Sequence, residues 1–423
     1  MANTQLDDYL QAELKRQQTG LELIPSENYV SHDVLRALGS VYTNKYSEGY
    51  PGKRYYGGQA NMDIVERDGI ELAKKLFKSG HANLQPHSGA PANQAVYFAW
   101  LEPGDKVLAM DLSHGGHLTH GHPVTVTAKL FEFIRYKMKD VETGELDYEE
   151  MRKLAHEHKP KIILAGFSSY PRELDYQRFA QIAGEVGAMA MADIAHIAGL
   201  IAAGELANPL EHGFQVVTTT THKTLRGPRG GMILTSGQAG NPLKSIDKSL
   251  DNLPTLIDRA VFPGLQGGPH MNNILAKTVA LQEASTDEFK QYASQTIKNA
   301  KRLAGALMNR GFKLVTNGTD NHLVLADVKQ SHGIDGKIAE ETLDKIGLTL
   351  NKNVVPDDKL PPYAPSGIRL GTPAMTTRGL NEDDMERVAE WMKQALEGRQ
   401  NEPLLADLKR QVVDFSQDFP LPS

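Results

Sequence analysis

The chain has 423 residues, 46 basic and 52 acidic side chains, a formal charge of −6 and no cysteine. That length exceeds one comfortable hydrophobic core and predicts a larger domain plus a smaller one. The scattered charge offers no basic stripe to nucleic acid or an anionic membrane, and the missing cysteines exclude disulfides, thiolate metal sites and cysteine nucleophiles. Without an apolar leader or a bilayer-length apolar run, the expected location is the cytoplasm.

Residues 7–19 carry Tyr9, Leu10 and Leu14 at helical spacing before Gly20, which predicts an N-terminal arm of the kind that reaches a partner subunit. After Ser26, Glu27, Asn28 and Tyr29, the stretch 43–58 gathers Tyr46, Glu48, Tyr50, Tyr55 and Tyr56 among glycines. That composition suits a binding site or a subunit contact better than a core, and both can hold. A helix is predicted over 64–77. Then Ser88 and Gly89 precede a helix over 94–101, where backbone amides and the helix dipole would receive a phosphate, although small residues there are also ordinary caps.

A strand over 106–110 leads into a loop with His114, His117 and His120. Their spacing lacks the partner of known zinc motifs, so stacking of an imidazole, with His117 the best candidate, is favoured over metal. Strands over 161–167, 188–192 and 215–221 deliver Ser168, Asp193 and Lys223 at or just beyond their carboxyl ends, with a helix over 176–186 between the first two. Strand–helix alternation predicts an α/β protein with a mostly parallel sheet, whose ligands bind at those ends. Asp193 and His196 then fall in the crevice, where an aspartate could keep a heteroaromatic nitrogen protonated or simply cap a helix.

Residues 216–231, V-V-T-T-T-T-H-K-T-L-R-G-P-R-G-G, organise the rest. β-Branched residues lead in and Gly227, Pro228, Gly230 and Gly231 forbid a helix afterwards, so Lys223 is held on a short, stiff turn. His222, Arg226 and Arg229 beside it favour the neutral, nucleophilic amine of a Schiff-base lysine. Residues 236–268 read as loop-rich and end in the paired Gly267 and Gly268. Helices are then predicted from 273 to 283 and 287 to 310, leading into a smaller α+β unit with strands over 312–315 and 322–328 and helices over 336–346, 381–397 and 403–415. The division expected is an arm, 1–40, a large domain, 41–275, and a small domain, 276–423. Within the last, Arg369 lies in an apolar strand and demands a carboxylate, internal or from a substrate.

Taken together, S-E-N-Y at 26–29, Y-S-E-G-Y-P-G-K-R-Y-Y-G-G at 46–58, D-I-A-H at 193–196, the lysine stretch and S-G-I-R-L-G-T-P-A at 366–374 closely resemble serine hydroxymethyltransferase. The resemblance covers essentially the whole chain. It implies a pyridoxal-phosphate enzyme of the aspartate-aminotransferase fold (fold type I), with tetrahydrofolate as co-substrate. On that resemblance Lys223 carries pyridoxal 5'-phosphate, Asp193 pairs with its ring nitrogen, His117 stacks on the ring, and Ser168 and His196 lie near the phenolic oxygen. Ser88 and Gly89, with Tyr46 and Gly268 of a second subunit, hold the phosphate. The resemblance further implies that Arg369 and Ser26 bind the carboxylate of serine or glycine. Glu48 and Tyr56 reach in from the partner, and Glu48, Leu112, Gly116, Leu118 and Asn353 meet folate. Lys223, Glu48, Tyr56 and His222 are the catalytic candidates. A homodimer with shared sites is implied, with no metal, nucleic acid or membrane partner.

Two positions depart from the family pattern: Ala90 stands where a second phosphate-binding serine is usual, and Pro171 follows Ser168-Ser169-Tyr170. The rival expectations are an α-methylserine hydroxymethyltransferase or a β-hydroxy amino acid (threonine) aldolase on the same fold, and a non-catalytic binding protein. Glu48, Leu118 and Asn353 argue against a pure aldolase; Lys223 and Arg369 argue against a non-catalytic scaffold.

Overall fold

A computed structural model describes residues 4–422. The chain packs as two compact units: one of residues 30–140 and 145–293, the other of residues up to Tyr29, residues 141–144 and residues from Ser294 onward.

The larger unit is built on a seven-stranded sheet. Its strands are β1 (His81–Asn83), β2 (Lys106–Met110), β3 (Glu132–Tyr136), β4 (Ile162–Gly166), β5 (Met189–Asp193), β6 (Val216–Thr220) and β7 (Gly231–Thr235), in the order β1-β7-β6-β5-β4-β2-β3. From β6 to β3 every neighbouring pair is parallel. Only β7 runs the other way, antiparallel to both β6 and β1. Strands β4, β6 and β7 are buried throughout and β5 in all but its last residue, which is why they read as continuous apolar or β-branched runs rather than alternating ones.

Four helices of this unit matter to the site: α1 (Ala60–Phe77), α2 (Gly89–Trp100), α3 (Tyr176–Val186) and α4 (Met271–Glu283). Helix α2 starts five residues earlier than the sequence predicts. Ser88 takes the N-cap position and Pro91 falls in the first turn, where its missing N–H costs no hydrogen bond. Ala92, Val96 and Tyr97 of α2 share a core with Val107, Ile162, Leu164, Met189, Met191, Val216 and Ile233 of the sheet. The stretch over 236–268 is less loop-like than predicted: Leu253–Arg259 is helical, opened by Pro254 and anchored by buried Leu253 and Ile257, and a wide helical turn, Ala260–Leu265, follows. Residue 275 falls inside α4, which packs on α1 and on the helix His32–Leu38, and the packing boundary comes later, within α5 (Asp287–Asn309).

The smaller unit holds an antiparallel sheet of β8 (Lys313–Leu314), β9 (Leu323–Asp327), β10 (Asn351–Asn353) and β11 (Gly367–Gly371) in the order β8-β9-β11-β10. Strand β8 is shorter than predicted, because positive φ at Thr316 and Asn317 turns the chain out of the sheet. Helices Gly336–Lys345, Glu382–Glu397 and Glu402–Gln417 close one core with the sheet, including Leu343, Val388, Met392, Leu408 and Val412. The N-terminal helix, Thr4–Thr19, ends against this unit. Arg378 donates to the carbonyls of Gln17, Gly20, Ser416 and Phe419, tying both ends of the chain together. Leu6, Tyr9, Leu10 and Leu14 of that helix remain exposed.

The back of the large sheet depends on Phe179 of α3, which is fully buried and meets Tyr136 and Tyr148 edge-on with ring centroids 5.5 and 5.7 Å away. Phe179→Ala removes both aromatic contacts and leaves a cavity, so a loss of about 3–5 kcal/mol is expected in denaturant unfolding. A loss below about 1 kcal/mol would mean that the site collapses around the smaller side chain.

Candidate active site

The carboxyl ends of β2, β4, β5 and β6 lie side by side, and each hands a polar loop to the same edge of the sheet. After β6 the chain makes the tight turn that carries His222 and Lys223. Thr221 N–H donates to Gly230 O (3.1 Å), Gly227 N–H to Thr221 O (2.7 Å) and the Thr221 hydroxyl to Pro228 O (2.6 Å). Arg226 adopts φ +59° and its guanidinium sits 4.7 Å from the Tyr292 ring centroid, which fixes the far side of the turn. Lys223 sits on this short turn, and its side chain is buried. Burial, then the charges of Lys223, Arg229 and Lys277, push the His222 imidazole down to about 3, so it stays neutral at any ordinary pH. Its Nδ1 is buried with no hydrogen-bond partner.

Asp193 ends β5. One carboxylate oxygen accepts from Ala195 N–H (3.0 Å), a local turn bond, and the other from His120 Nε2–H (3.0 Å) and Asn93 Nδ2–H (2.9 Å). His120 Nδ1 accepts the His117 N–H at 3.1 Å, which sets the tautomer that donates from Nε2. Burial pushes the Asp193 carboxyl up, but the His120 hydrogen bond, the neighbouring His120 and His117 rings and Asn93 outweigh it. They hold the group well below the usual carboxylate range. Asn93 in turn is pinned by Thr119 and by the Thr218 hydroxyl (2.6 Å). One donor atom each from His117, His120 and Asp193 lies within 4.8 Å of the others.

The other crevice candidates sit on the same edge. Ser168, after β4, donates to Gly116 O (2.9 Å), so the 115–117 loop is tied down between β2 and β4. Gly116 has no room for a side chain, since a Cβ would stand 2.4 Å from Met110 O. His117 bonds the Thr119 hydroxyl (2.7 Å), Leu118 is exposed on the loop and Leu112 is half-buried beneath it. His196 is buried, and its carbonyl accepts from the Thr224 hydroxyl (2.9 Å). Ser88 caps α2 in extended conformation, yet its hydroxyl makes no bond to the helix. A Cβ on Gly89 would stand 2.7 Å from Thr220 Cγ2. A free hydroxyl, a bare backbone and a helix N-terminus at one place fit an anion, and an ionised aspartate fits a protonated ring nitrogen.

Tyr46, Glu48, Tyr56 and Gly268 form a cluster of their own on loops. The Tyr46 hydroxyl donates to Glu48 Oε1 (3.2 Å), its ring meets Tyr56 edge-on at 5.1 Å, and a Cβ on Gly268 would stand 3.1 Å from the Tyr46 ring. In the smaller unit, Arg369 lies on β11 opposite Asn351 and donates through Nε to its side-chain oxygen (3.0 Å). Burial pushes Arg369 down to about 10. Asn353 is two residues further along the neighbouring strand β10. Ser26 follows Pro25, which packs against Gly371 at the end of β11, and Leu23 O accepts from Gly371 N–H (2.7 Å).

Sequence patterns did not reveal Asn93 or the link from His120 to Asp193. The only trace of Asn93 is an amide in an otherwise apolar helix face, and His120 stands out only as one histidine of three.

Sheet order and crevice chemistry together define the fold-type-I class of pyridoxal-phosphate enzymes. A family model for serine hydroxymethyltransferase matches residues 1–392, and the chain belongs to that family. Its reaction is the reversible transfer of the serine hydroxymethyl carbon to tetrahydrofolate, giving glycine and 5,10-methylenetetrahydrofolate.

His120→Phe keeps the ring volume and removes the bond to Asp193. A carboxylate whose folded pKa is depressed adds stability above its unfolded pKa of about 4, and that stability is lost as pH falls through the folded pKa. The variant is therefore expected to be about 1–3 kcal/mol less stable than the wild type near neutral pH. The deficit should shrink progressively below about pH 4. Urea unfolding across pH checks this; a deficit independent of pH would assign His120 to packing alone.

Proposed function

We propose that the crevice at the ends of β2, β4, β5 and β6 holds pyridoxal 5'-phosphate on Lys223. The observation that carries this proposal is the convergence of a turn-held buried lysine and an ionised aspartate with a helix N-terminus whose serine hydroxyl is unused. When bound, the cofactor's ring supplies the electron sink for the bond broken at the substrate's α-carbon. Asp193 holds the ring nitrogen's proton, and the His120 and Asn93 bonds keep it ionised for that task. Ser88 and Gly89 take the phosphate through backbone and hydroxyl, with Ala90 adding no second hydroxyl. His117 would stack on the ring, and Ser168 and His196 would lie near its phenolic oxygen. His222, neutral, offers an uncharged neighbour to the lysine.

Arg369, with Ser26, grips the carboxylate of serine or glycine; a guanidinium already lowered by burial gains most from an anionic guest. Glu48, with Tyr56, would shuttle a proton to the serine hydroxyl or to the folate as the hydroxymethyl carbon passes from the substrate to folate. Folate lies against Leu112, Gly116, Leu118, Asn353 and Glu48. Exposed Tyr46, Tyr55 and Tyr56 and the uncovered apolar face of the N-terminal helix support a homodimer. In it, residues 1–40 act as an arm, and Tyr46, Glu48, Tyr56 and Gly268 complete the partner's site. Among the described residues no helix is long and apolar enough to cross a membrane, and a cysteine-free chain suits a cytoplasmic enzyme.

Absorbance titration tests the cofactor assignment. Pyridoxal phosphate should give the wild type a visible band that glycine alters and that tetrahydrofolate shifts to longer wavelength, whereas Lys223→Ala should lack the protein-bound band. A band that ignores folate would favour the aldolase. Mixing tests the shared site: Lys223→Ala and Glu48→Gln homodimers are each expected to be inactive. Once unfolded and refolded together they should recover about a quarter of wild-type activity, since half the dimers are mixed and each carries one intact site. No recovery would place Glu48 in its own chain's site.

A further inference from the structure

Helix α4 carries Lys277, a lysine wholly withdrawn from solvent that none of the roles above uses. Its ammonium donates to three backbone carbonyls: Leu84 O (2.8 Å), Pro86 O (3.0 Å) and Gly231 O (2.8 Å). The first two belong to the segment that runs from β1 to Ser88 and Gly89. The third opens β7, immediately after the glycine-rich turn that follows Lys223. Three acceptors match the three donors of an ammonium group, so the charge is dispersed over carbonyl dipoles.

The surroundings are shaped for this lysine. A Cβ on Gly230 would lie 2.3 Å from Lys277 Cε, so the side chain passes only because that residue is glycine. Gly231 N–H donates to Pro86 O (3.0 Å), the carbonyl Lys277 also holds, and a Cβ on Gly231 would meet Ser88 O at 2.3 Å. One turn earlier on the same helix face, Asn273 donates to Arg229 O (2.9 Å). From the other side, Gln266 accepts from His87 N–H (3.0 Å) and donates to Gln85 O (2.9 Å). Helix α4 thus grips the lysine turn at two successive points and the phosphate segment at one of them.

We propose that Lys277 is a positioning residue that locks the segment leading to Ser88 and Gly89 against the turn after Lys223, setting the spacing between the phosphate-binding amides and the reactive lysine. This rests on the assignment of the phosphate to Ser88 and Gly89. The ammonium touches neither cofactor nor substrate; it works through the carbonyls of Pro86 and Gly231. Burial pushes Lys277 down to about 7, with the Glu66 carboxylate pulling it partly back. A neutral amine would have two donors for three carbonyls, so the charged form makes the complete lock.

The test compares two probes on apo-protein from the full chain: pyridoxal phosphate and pyridoxal, which lacks the phosphate, each titrated by the visible absorption band. Lys277→Met keeps the stem and removes the three donors; its affinity for pyridoxal phosphate is expected to fall by about tenfold or more, with pyridoxal affinity held within about twofold. Should the Met variant not fold, Lys277→Gln, which retains two donors, carries the same comparison with a smaller but same-signed loss. Equal losses for both probes, or none for either, would overturn the proposal and leave Lys277 a general prop of the core. If the wild type itself binds both probes alike, it is the assignment of the phosphate site that fails.

Discussion

A carboxylate kept ionised at the carboxyl edge of the sheet is the constraint around which the larger unit is arranged. Burial alone would drive Asp193 to its neutral form, which could not serve the role proposed for it, holding a proton on a ring nitrogen. Three donors from different parts of the chain prevent this: Ala195 N–H just beyond β5, His120 from the loop after β2, and Asn93 from α2. The two side-chain donors are themselves held, His120 by the His117 N–H and Asn93 by Thr119 and Thr218. The electrostatics of one side chain therefore fix the loop after β2 and the roll of α2 about its axis, and with α2 the direction its N-terminus faces.

Glycines supply the second constraint, which is steric. On the lysine turn and its surroundings, a Cβ on Gly199, Gly227 or Gly231 would stand within 3 Å of backbone, and one on Gly89 or Gly230 within 3 Å of a packed side chain, Thr220 or Lys277. At Gly199 the obstructing atom would be Thr224 O, the residue after Lys223, at 2.1 Å. A lysine on a turn this crowded loses little freedom when it engages a ligand, because its backbone has none left to lose. Rigidity is built in sequence-distant pieces and delivered to one residue.

Patterns that a single strand or loop can carry were legible before the structure. The apolar run of β4, the four threonines around β6 and the glycines after Lys223 each state their own conformation, and together they imply a parallel sheet with polar residues at its carboxyl edge. Arg369 announced itself by charge in an apolar strand. What stayed hidden depends on pairing across the chain. The residues holding Asp193 lie 73 and 100 positions away, and nothing local distinguishes Asn93 from a tolerated helix amide. Lys277 carries no local signal either: periodicity shows which face a residue occupies, but not that three carbonyls wait for its ammonium. The start of α2 and the helix at Leu253–Arg259 were blurred by proline, which the sequence flags as a break but which both helices use in their first turn.

The same logic extends to the tyrosine-rich loop. Glu48 sits between two carbonyls, Ser47 O and Gly49 O, and Arg54 donates to both at 2.9 Å. Arg54 is buried and balanced by Asp63 (2.9 Å) and Glu66 of α1, while Gln85 bridges Glu66 and Gly49 O. Burial raises the Glu66 carboxyl, with Arg54 pulling it back, so neither partner is comfortable without the other. An exposed loop of tyrosines and glycines would otherwise wander; here a buried ion pair fixes its backbone from behind and leaves the Glu48 side chain outward. The ionic network touches none of the proposed site residues, yet it decides where Glu48, the proposed proton carrier, can stand.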